Sequence, residues 1–231
     1  MKYILAPSLL AADFKCLAGQ MKMTEENGAE YLHFDVMDGM FVPSISFGMP
    51  VLKSIKGATE QVMDVHLMVQ EPVRYVTDFA DAGADIITIH LEACQDVKET
   101  IQKIKNCGKK AGISICPQTD ADQLLPYMEL VDMILVMSVQ PGFGGQKFIP
   151  ESIEKIRKVR RMITECGRDI DLEVDGGIYQ DNVEEVLKAG ANVIVAGSAV
   201  FGGDPGQNTK AMMERLRQYE SSDNHHQRRR D

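Results

Sequence analysis

Two histidines and two aspartates stand at the ends of short apolar runs, where their side chains could bind one metal ion together. His33 and Asp35 belong to YLHFDVMDG, His66 belongs to VMDVHLMV, and Asp175 closes DLEVDGG. Residues two apart on a strand point to the same face, so His33 and Asp35 project together. Two imidazoles and two carboxylates suit a divalent metal, with Zn²⁺ favoured and Mn²⁺, Fe²⁺ or Co²⁺ as alternatives. The competing interpretation is four separate polar groups that cap the strand ends.

Three methionines accompany these residues. Met37 follows Asp35 by two positions, Met68 follows His66 by two, and Met137 lies near the end of a later apolar run. Because a thioether is soft and apolar, such a set could shield the metal site from water without competing for a hard cation. Ordinary core packing is the alternative, since the chain contains 14 methionines.

Two further side chains are expected close to the site. His90 ends a strand-like run in TIHLEA, and packing beside the metal site is favoured over metal binding for it. Glu173 has the same strand parity as Asp175 and lies one layer deeper, which predicts a buried and hydrogen-bonded carboxyl group.

Glycine-rich segments cluster in the last third of the chain. QPGFGGQKF covers residues 140–148, DGG covers residues 175–177, and AGS covers residues 196–198. Glycine lets backbone N–H groups approach an anion closely, and a helix N-terminus adds a favourable field. Each segment alone could be a simple turn. Together, next to a metal site, they predict a phosphate-binding site.

The elements that must position these residues alternate between strand and helix. Eight β-rich runs begin at Tyr3, Tyr31, Gln61, Asp85, Ala111, Met133, Ile170 and Asn192. Amphipathic stretches separate them, for example SIEKIRKVRRMITECG and NVEEVLKAGA, the latter ending near Gly190. This alternation predicts an α/β fold, a single (β/α)₈ TIM barrel; a doubly wound open sheet is the competing architecture. Residues 1–220 are predicted to form the barrel domain and residues 221–231 a disordered polar tail.

Composition restricts the partners and the compartment. The formal charge of -9 argues against a nucleic-acid partner, which requires clustered Lys and Arg. Five scattered cysteines without CxxC spacing indicate reduced thiols in a cytoplasmic protein. No apolar stretch is long enough for a membrane span, and the N-terminal apolar run is too short for a signal peptide. A soluble protein with a small-molecule partner is expected.

The assembled motifs resemble those of the ribulose-phosphate 3-epimerase family over nearly the whole chain. The segments that carry the resemblance are APSLLAADF, HFDVMDGMFVP, VHLMV, MSVQPGFGGQKFIP, EVDGGI and AGSAVF. The resemblance implies a (β/α)₈ barrel and an isomerase that inverts C3 of a ketose phosphate, in this family D-ribulose 5-phosphate to D-xylulose 5-phosphate. It also implies a homo-oligomer, either a dimer or a hexamer.

The resemblance further assigns roles to individual residues. It implies that the metal ligands are His33, Asp35, His66 and Asp175, and that Asp35 and Asp175 are also the catalytic acid and base. The implied substrate contacts are Ser8, His66, Asp175, the phosphate-binding residues Gly142, Phe143, Gly144, Gly145, Gly176, Gly177, Gly197 and Ser198, and a wall of Met37, Met68 and Met137.

Four positions depart from the family pattern. Met40 and Ser44 replace a His and an Asn in the MDGHFVPN motif, Gln140 stands in the SVNPGFGG motif, and Cys116 precedes Pro117 in the NPAT motif. These changes leave the sugar specificity open, so an allulose-6-phosphate 3-epimerase is an alternative. A related barrel decarboxylase is disfavoured because DVHLMV lacks the lysine of a DxKxxD array. A non-catalytic sugar-phosphate binding protein is the remaining alternative.

Overall fold

Eight parallel strands form the centre of the molecule. The structure, a computed structural model, describes residues 1–227. The strands are β1 (Ile4–Pro7), β2 (Tyr31–Met37), β3 (Val62–Met68), β4 (Ile86–His90), β5 (Lys110–Ile115), β6 (Met133–Met137), β7 (Asp171–Asp175) and β8 (Val193–Ala196). Their order is β1-β8-β7-β6-β5-β4-β3-β2, and the two end strands meet at a parallel bridge between Ser8 and His33. The predicted barrel is therefore confirmed, because an open doubly wound sheet would reverse its strand order and leave two free edges.

Helices connect the strands and cover the outside of the barrel. They are α1 (Leu17–Glu26), α2 (Met49–Lys56), α3 (Val76–Ala82), α4 (Val97–Asn106), α5 (Ser152–Cys166), α6 (Val183–Lys188), α7 (Ser198–Phe201) and α8 (Pro205–Gln227). Between β5 and β6 the connection is a 3-10 helix at Ala121–Tyr127. In α5 the apolar side of the predicted amphipathic stretch is buried, and the helix ends at Cys166, followed by Gly167, whose φ of 71° suits a left-handed C-cap.

Side-chain parity divides the strands into an outer and an inner face. Outward-facing residues such as Phe34, Val65 and Ile113 are buried between the sheet and the helices. The inward-facing residues at the N-terminal end of the barrel form a separate apolar cluster that includes Ile4, Tyr31, Ile86, Met133 and Val193. Closer to the C-terminal end of the barrel, the inward-facing residues are polar. The same strand parity therefore places apolar side chains at the N-terminal end and the candidate site residues at the C-terminal mouth.

The last helix is longer than the sequence indicated. Helix α8 continues to Gln227, so residues 221–227 are helical where an irregular tail was expected, and residues 228–231 lie outside the described part. Tyr219 makes an edge-to-face contact with Tyr3 at 5.3 Å between ring centroids, which fixes this helix against the start of β1. A helix that is already docked can continue through residues of modest helix propensity such as Ser, Asp, Asn and His, because each added residue gains one backbone hydrogen bond without a new nucleation step. Within residues 1–227, no helix combines the length and the apolar character that a membrane span needs.

Candidate active site

Four side chains from three strands converge at the C-terminal mouth of the barrel. His33 and Asp35 extend from β2, His66 from β3 and Asp175 from β7, and one ligand atom of each lies within 4.8 Å of the others. Asp35 Oδ1 is 3.1 Å from His33 Nε2 and 3.0 Å from His66 Nδ1. The two ring nitrogens are 3.3 Å apart, and Asp175 Oδ2 is 3.9 Å from His33 Nε2. The four residues grouped from sequence alone are thus brought together.

The spacing of these atoms fits a bound divalent ion. A tetrahedral ion with ligands at about 2.1 Å has ligand-to-ligand separations of about 3.4 Å. The four measured separations lie between 3.0 and 3.9 Å and bracket that value. Two nitrogen and two oxygen ligands, which are nearly sealed from solvent, are a donor set for Zn²⁺, Mn²⁺, Fe²⁺ or Co²⁺.

The two carboxyl groups of the site have opposite electrostatic surroundings. Burial alone would raise the pKa of Asp35, but the charge of His33 and hydrogen bonds from His33 and His66 lower it well below its usual range. Burial, reinforced by the charge of Asp35, raises the pKa of Asp175 to about 7. The Asp175 side chain is 18% exposed, whereas that of Asp35 is almost fully enclosed. One carboxyl group is therefore held ionised while the other can carry a proton near neutral pH.

A second layer of carboxyl groups lies behind His33. Asp64 Oδ2 is 2.6 Å from His33 Nδ1, and Glu173 Oε1 is 3.5 Å from the same nitrogen. Burial and the adjacent Asp64 raise the pKa of Glu173 well above its usual range. Glu173 is fully buried as expected, but among the described residues neither of its oxygens has a partner at hydrogen-bond geometry. The prediction that Glu173 is hydrogen-bonded is therefore wrong, because the nearby ring nitrogen of His33 makes its hydrogen bond with Asp64 instead.

His90 lies next to the four-residue cluster without belonging to it. Its Nε2 is 2.9 Å from Nε2 of His66, and its Nδ1 is 3.2 Å from Oε2 of Glu92. Phe41 packs against its ring at a centroid distance of 4.9 Å. His90 therefore reaches the site only through His66, in line with the expectation of packing beside it.

A cavity of about 460 Å³ opens above the cluster and contains most of the predicted substrate contacts. Asp35 and Asp175 form part of its floor, whereas His33 and His66 are not among the lining residues and lie buried behind Asp35. The other predicted residues that line it are Ser8, Met37, Met68, Met137, Gly142, Phe143, Gly144, Gly145, Gly176, Gly177, Gly197 and Ser198. The cavity thus joins the proposed metal ligands to the glycine segments.

The close approach of two loops explains why residue 177 is a glycine. Its φ is 65°, and a Cβ atom built there would lie 2.2 Å from the backbone nitrogen of Phe148. The loop after β7 and the loop after β6 can therefore touch only if this residue has no side chain. The consequence is a backbone-lined wall, which suits an anion such as phosphate.

Comparison with known proteins identifies the relatives of this barrel. A sequence model of the ribulose-phosphate 3 epimerase family matches residues 4–201. The chain belongs to this family. The predicted resemblance is confirmed, and the names of the relatives place the chain among the isomerases.

Two curated relatives show how far the similarity extends. The ribulose-phosphate 3-epimerase of Synechocystis sp. is 50% identical over 200 residues, covering 86% of this chain and 87% of that protein. That of Escherichia coli is 50% identical over 202 residues, covering 87% of this chain and 89% of the relative. Among solved structures, KGPDC from Streptococcus mutans gives a TM-score of 0.72 at 12% identity, covering 95% of this chain and 99% of that chain. This last likeness shows the fold alone.

The four departures from the family pattern have different positions relative to the cavity. Ser44 and Gln140 line it. Met40 does not, and it is 75% exposed. Cys116 is buried beside His90, with Sγ 3.6 Å from Nδ1. Only Ser44 and Gln140 can therefore contact a substrate directly.

Some supporting residues were not predicted from the sequence. Asp64 precedes His66 by two positions and Glu92 follows His90 by two, so the period-two spacing used for His33 and Asp35 would have found both. Ser46 gives no such signal: it accepts from the backbone N–H of Met37 and donates to the carbonyl of Asp35, because the loop after β2 folds back on that strand.

Proposed function

We propose that this protein interconverts D-ribulose 5-phosphate and D-xylulose 5-phosphate by epimerisation at C3, with a divalent ion held by His33, Asp35, His66 and Asp175. The observation that carries the proposal is the relation between Asp35 and Asp175. The two carboxyl groups come from different strands and reach one point, and in the metal-free protein their pKa values are displaced in opposite directions. The names of the curated relatives support the choice of sugar.

Inversion at C3 requires two proton transfers on opposite faces of the sugar. Asp35 acts as the base in one direction, because the Ser8 hydroxyl donates to Asp35 Oδ2 at 2.6 Å and this hydrogen bond favours the ionised carboxylate. Asp175 acts as the acid on the opposite face, because its carboxyl group comes from β7 and is the more exposed of the two at the floor of the cavity. Removal of the C3 proton next to the C2 carbonyl gives an enediolate, and the two aspartates exchange roles in the reverse direction.

The metal-binding residues fit a cation that neutralises this intermediate. When bound, a divalent ion supplies Lewis-acid stabilisation of the charge that develops on the C2 and C3 oxygens. Zn²⁺ is the proposed ion, and Mn²⁺, Fe²⁺ or Co²⁺ would be accepted by the same ligands. His33 and His66 would hold the ion through neutral rings, and the two carboxylates would balance its charge.

The glycine segments hold the far end of the substrate. We assign the phosphate group to the backbone of Gly144, Gly145, Gly177 and Gly197 and to the side chain of Ser198, all of which line the cavity. A fixed phosphate sets the register of the sugar and places C3 between the two aspartates. Met37, Met68 and Met137 line the same cavity and exclude water from the reacting carbon.

Two alternatives remain open to experiment. An allulose-6-phosphate 3-epimerase would use the same chemistry on a longer sugar, and Ser44 is the replaced residue that could admit it. The relatives' names do not favour this alternative. A non-catalytic sugar-phosphate binding protein would have no use for two carboxyl groups with opposed pKa shifts. A homo-oligomer and a cytoplasmic location stay predictions.

The decisive experiment is an epimerase assay in deuterated water on both sugar phosphates, with elemental analysis of the purified protein. We expect conversion of D-ribulose 5-phosphate, one deuterium atom at C3 of the product, and one divalent ion per chain. Chelation should abolish turnover and Zn²⁺ should restore it. A product without deuterium at C3 would exclude proton abstraction there, and faster turnover of the hexose phosphate would favour the alternative sugar.

A further inference from the structure

A chain of hydrogen-bonding groups leads from the proposed metal site to the surface of the barrel mouth. It begins at Asp35 Oδ1, passes through both nitrogens of His66 and both nitrogens of His90, and ends at Glu92 Oε2. The three successive separations are 3.0, 2.9 and 3.2 Å. The ring centroids of His66 and His90 are 5.0 Å apart while the facing nitrogens are 2.9 Å apart, so the two rings meet edge to edge through these atoms.

The number of protons in this hydrogen-bonded chain decides which atom is the donor in each contact. Each of the three contacts joins two atoms that carry lone pairs, so each needs a proton or a cation between them. Two neutral imidazoles supply only two ring protons. A cation held by Asp35 and His66 would fill the first contact and would leave the two protons for the other two contacts. The chain is then complete, with the proton of His66 on Nε2 and that of His90 on Nδ1.

We propose that His90 and Glu92 are positioning residues for the metal ligand His66: Glu92 fixes the tautomer of His90, and His90 thereby holds His66 with its Nδ1 lone pair directed at the ion. This inference rests on the proposed metal site and extends it by two residues. His33 is oriented directly by a carboxylate, Asp64, whereas His66 is oriented by a carboxylate through a second imidazole. Neither His90 nor Glu92 lines the substrate cavity.

Glu92 is itself held in one orientation. Its other oxygen, Oε1, accepts hydrogen bonds from the Cys116 backbone N–H at 2.7 Å and from the Thr119 hydroxyl. The Lys155 ammonium on α5 donates to the carbonyls of Cys116, Pro117 and Thr119 at 3.0, 2.6 and 2.6 Å, which fixes the loop that presents these donors. The Oε2 atom is therefore left facing His90.

A contact between Cys116 and His90 competes with Glu92 and explains why Glu92 must be a carboxylate. The Cys116 thiol lies 3.6 Å from His90 Nδ1, and an S–H donor there would favour the opposite tautomer. The Glu92 carboxylate is the stronger partner, because a charge-assisted hydrogen bond outweighs one from a thiol. Replacing it by an amide removes this advantage.

The variant Glu92→Gln tests the proposal. The Cys116 N–H is a fixed donor, so the oxygen of the introduced amide must face it, and the amide N–H₂ group then faces His90 Nδ1. That reverses the tautomer of His90 and places the proton of His66 on Nδ1, where the metal must bind. We expect a loss of Zn²⁺ affinity of about 10- to 100-fold, measured by competition with a chromophoric chelator. Glu71→Gln is the matched control: Glu71 accepts from the backbone N–H of Gln95 on the same side of the barrel, and its variant should retain the wild-type affinity.

Two further measurements separate positioning from other roles. In the Zn²⁺-loaded wild type, ¹⁵N–¹H correlation spectra should place the ring protons on Nε2 of His66 and Nδ1 of His90. At saturating Zn²⁺, Glu92→Gln should recover most of its kcat with an unchanged KM, because Glu92 does not contact the substrate. In a His90→Phe background, Glu92→Gln should have no additional effect on Zn²⁺ affinity, since the connecting ring is gone.

Three outcomes would overturn the inference. The first is a ring proton on Nε2 of His90 in the Zn²⁺-loaded wild type, and the second is a Zn²⁺ affinity of Glu92→Gln equal to that of the control Glu71→Gln. The third is a loss of Zn²⁺ affinity caused by Glu92→Gln that is as large in the His90→Phe background as in the wild type. If the variants fail to fold, the ¹⁵N–¹H spectrum of the wild type still tests the predicted tautomers of His66 and His90. A wild type with the expected tautomers that epimerises neither sugar would support the inference and exclude the proposed function. An active wild type with the opposite tautomers would exclude the inference and support the proposed function.

Discussion

Asp64 Oδ2 lies 2.6 Å from His33 Nδ1 inside the barrel, where neither side chain is reached by solvent. Register explains the contact, since His33 on β2 pairs with Asp64 on β3 and both face inward. The contact fixes the ring so that Nε2 points to Asp35 and Asp175. A carboxylate behind a metal-binding histidine sets its tautomer and raises its basicity.

The first prediction concerns this carboxylate. Asp64→Asn keeps the shape of the side chain but removes its charge, so Zn²⁺ affinity should fall by about 10- to 100-fold. Asp171→Asn is the control, because Asp171 accepts from Asn192 and touches none of the four proposed ligands. Calorimetric titration of the metal-free variants measures the effect, and equal affinities in the two variants would refute it.

The second prediction concerns turnover. Asp175→Asn removes the proposed proton carrier on one face of the sugar, and we expect kcat to fall by about 10²- to 10⁴-fold or more in both directions. The far-ultraviolet circular dichroism spectrum should not change, because the amide has the same volume. Asp181→Asn, an exposed aspartate in the turn that follows, should retain full activity. A turnover number of Asp175→Asn close to that of the wild type would end the two-carboxylate scheme.

The third prediction follows from the raised pKa of Asp175. In the metal-free protein its pKa is about 7, against about 3.9 in an unfolded chain. Between these values the folded state binds the proton and the unfolded state does not, so the free energy of unfolding falls as the pH rises from 4 to 7 and is flat beyond. The loss attributable to Asp175 is at most roughly 4 kcal/mol.

Asp175→Asn isolates this contribution. Denaturant unfolding of the chelated proteins should give equal free energies of unfolding near pH 4, and the variant should become the more stable protein as the pH approaches 7. Parallel curves for the two proteins over this range would show that Asp175 has an ordinary pKa.

The sequence allowed the architecture and the ligand set to be predicted, for reasons that are local. Strand parity depends only on spacing, so the sequence alone assigns His33 and Asp35 to one face. The same spacing identifies Asp64 and Glu92 once the histidines are taken as reference points. The helical end of α8 was missed, because polar composition alone does not distinguish a tail from the extension of a docked helix.

Contacts between distant parts of the chain could not be predicted in the same way. The hydrogen bond from the Ser8 hydroxyl to Asp35 depends on closure of the barrel between β1 and β2. The link from Lys155 through the Cys116 loop to Glu92 joins three elements whose relative heights depend on the stagger of the strands. No spacing along the sequence encodes that stagger.

The fourth prediction concerns the glycine at the contact between two loops. Gly177→Ala places a Cβ atom 2.2 Å from the Phe148 nitrogen and forces alanine into a left-handed conformation. The free energy of unfolding should fall by about 2 kcal/mol or more, and KM for the sugar phosphate should rise because the proposed phosphate-binding wall is displaced. Gly57→Ala is the control, with a φ of -80° and no atom within 4 Å of its Cβ position. If the two variants behave alike, the close approach of the loops does not matter.

The fifth prediction compares two lysines on one helix. Lys155 donates to three backbone carbonyls of the loop that carries Cys116, Pro117 and Thr119. Lys158, three residues further along α5, pairs instead with Asp120 and Asp122, which are both well exposed to solvent. Lys155→Met leaves the three carbonyls without their shared donor, so the free energy of unfolding should fall by about 2–4 kcal/mol. Lys158→Met should leave it unchanged within the error of measurement, because exposed ion pairs contribute little.

The same pair of variants separates stability from metal binding. Lys155 fixes the loop that presents the Cys116 N–H to Glu92, so Lys155→Met should also weaken Zn²⁺ binding, whereas Lys158→Met should not. Chemical denaturation gives the first quantity and chelator competition the second, on the same preparations. A Lys155→Met protein that is destabilised but keeps wild-type Zn²⁺ affinity would show that the loop holds α5 in place without acting on the metal site. Equal stability of the two variants would show instead that the three carbonyl contacts contribute no more than a surface ion pair.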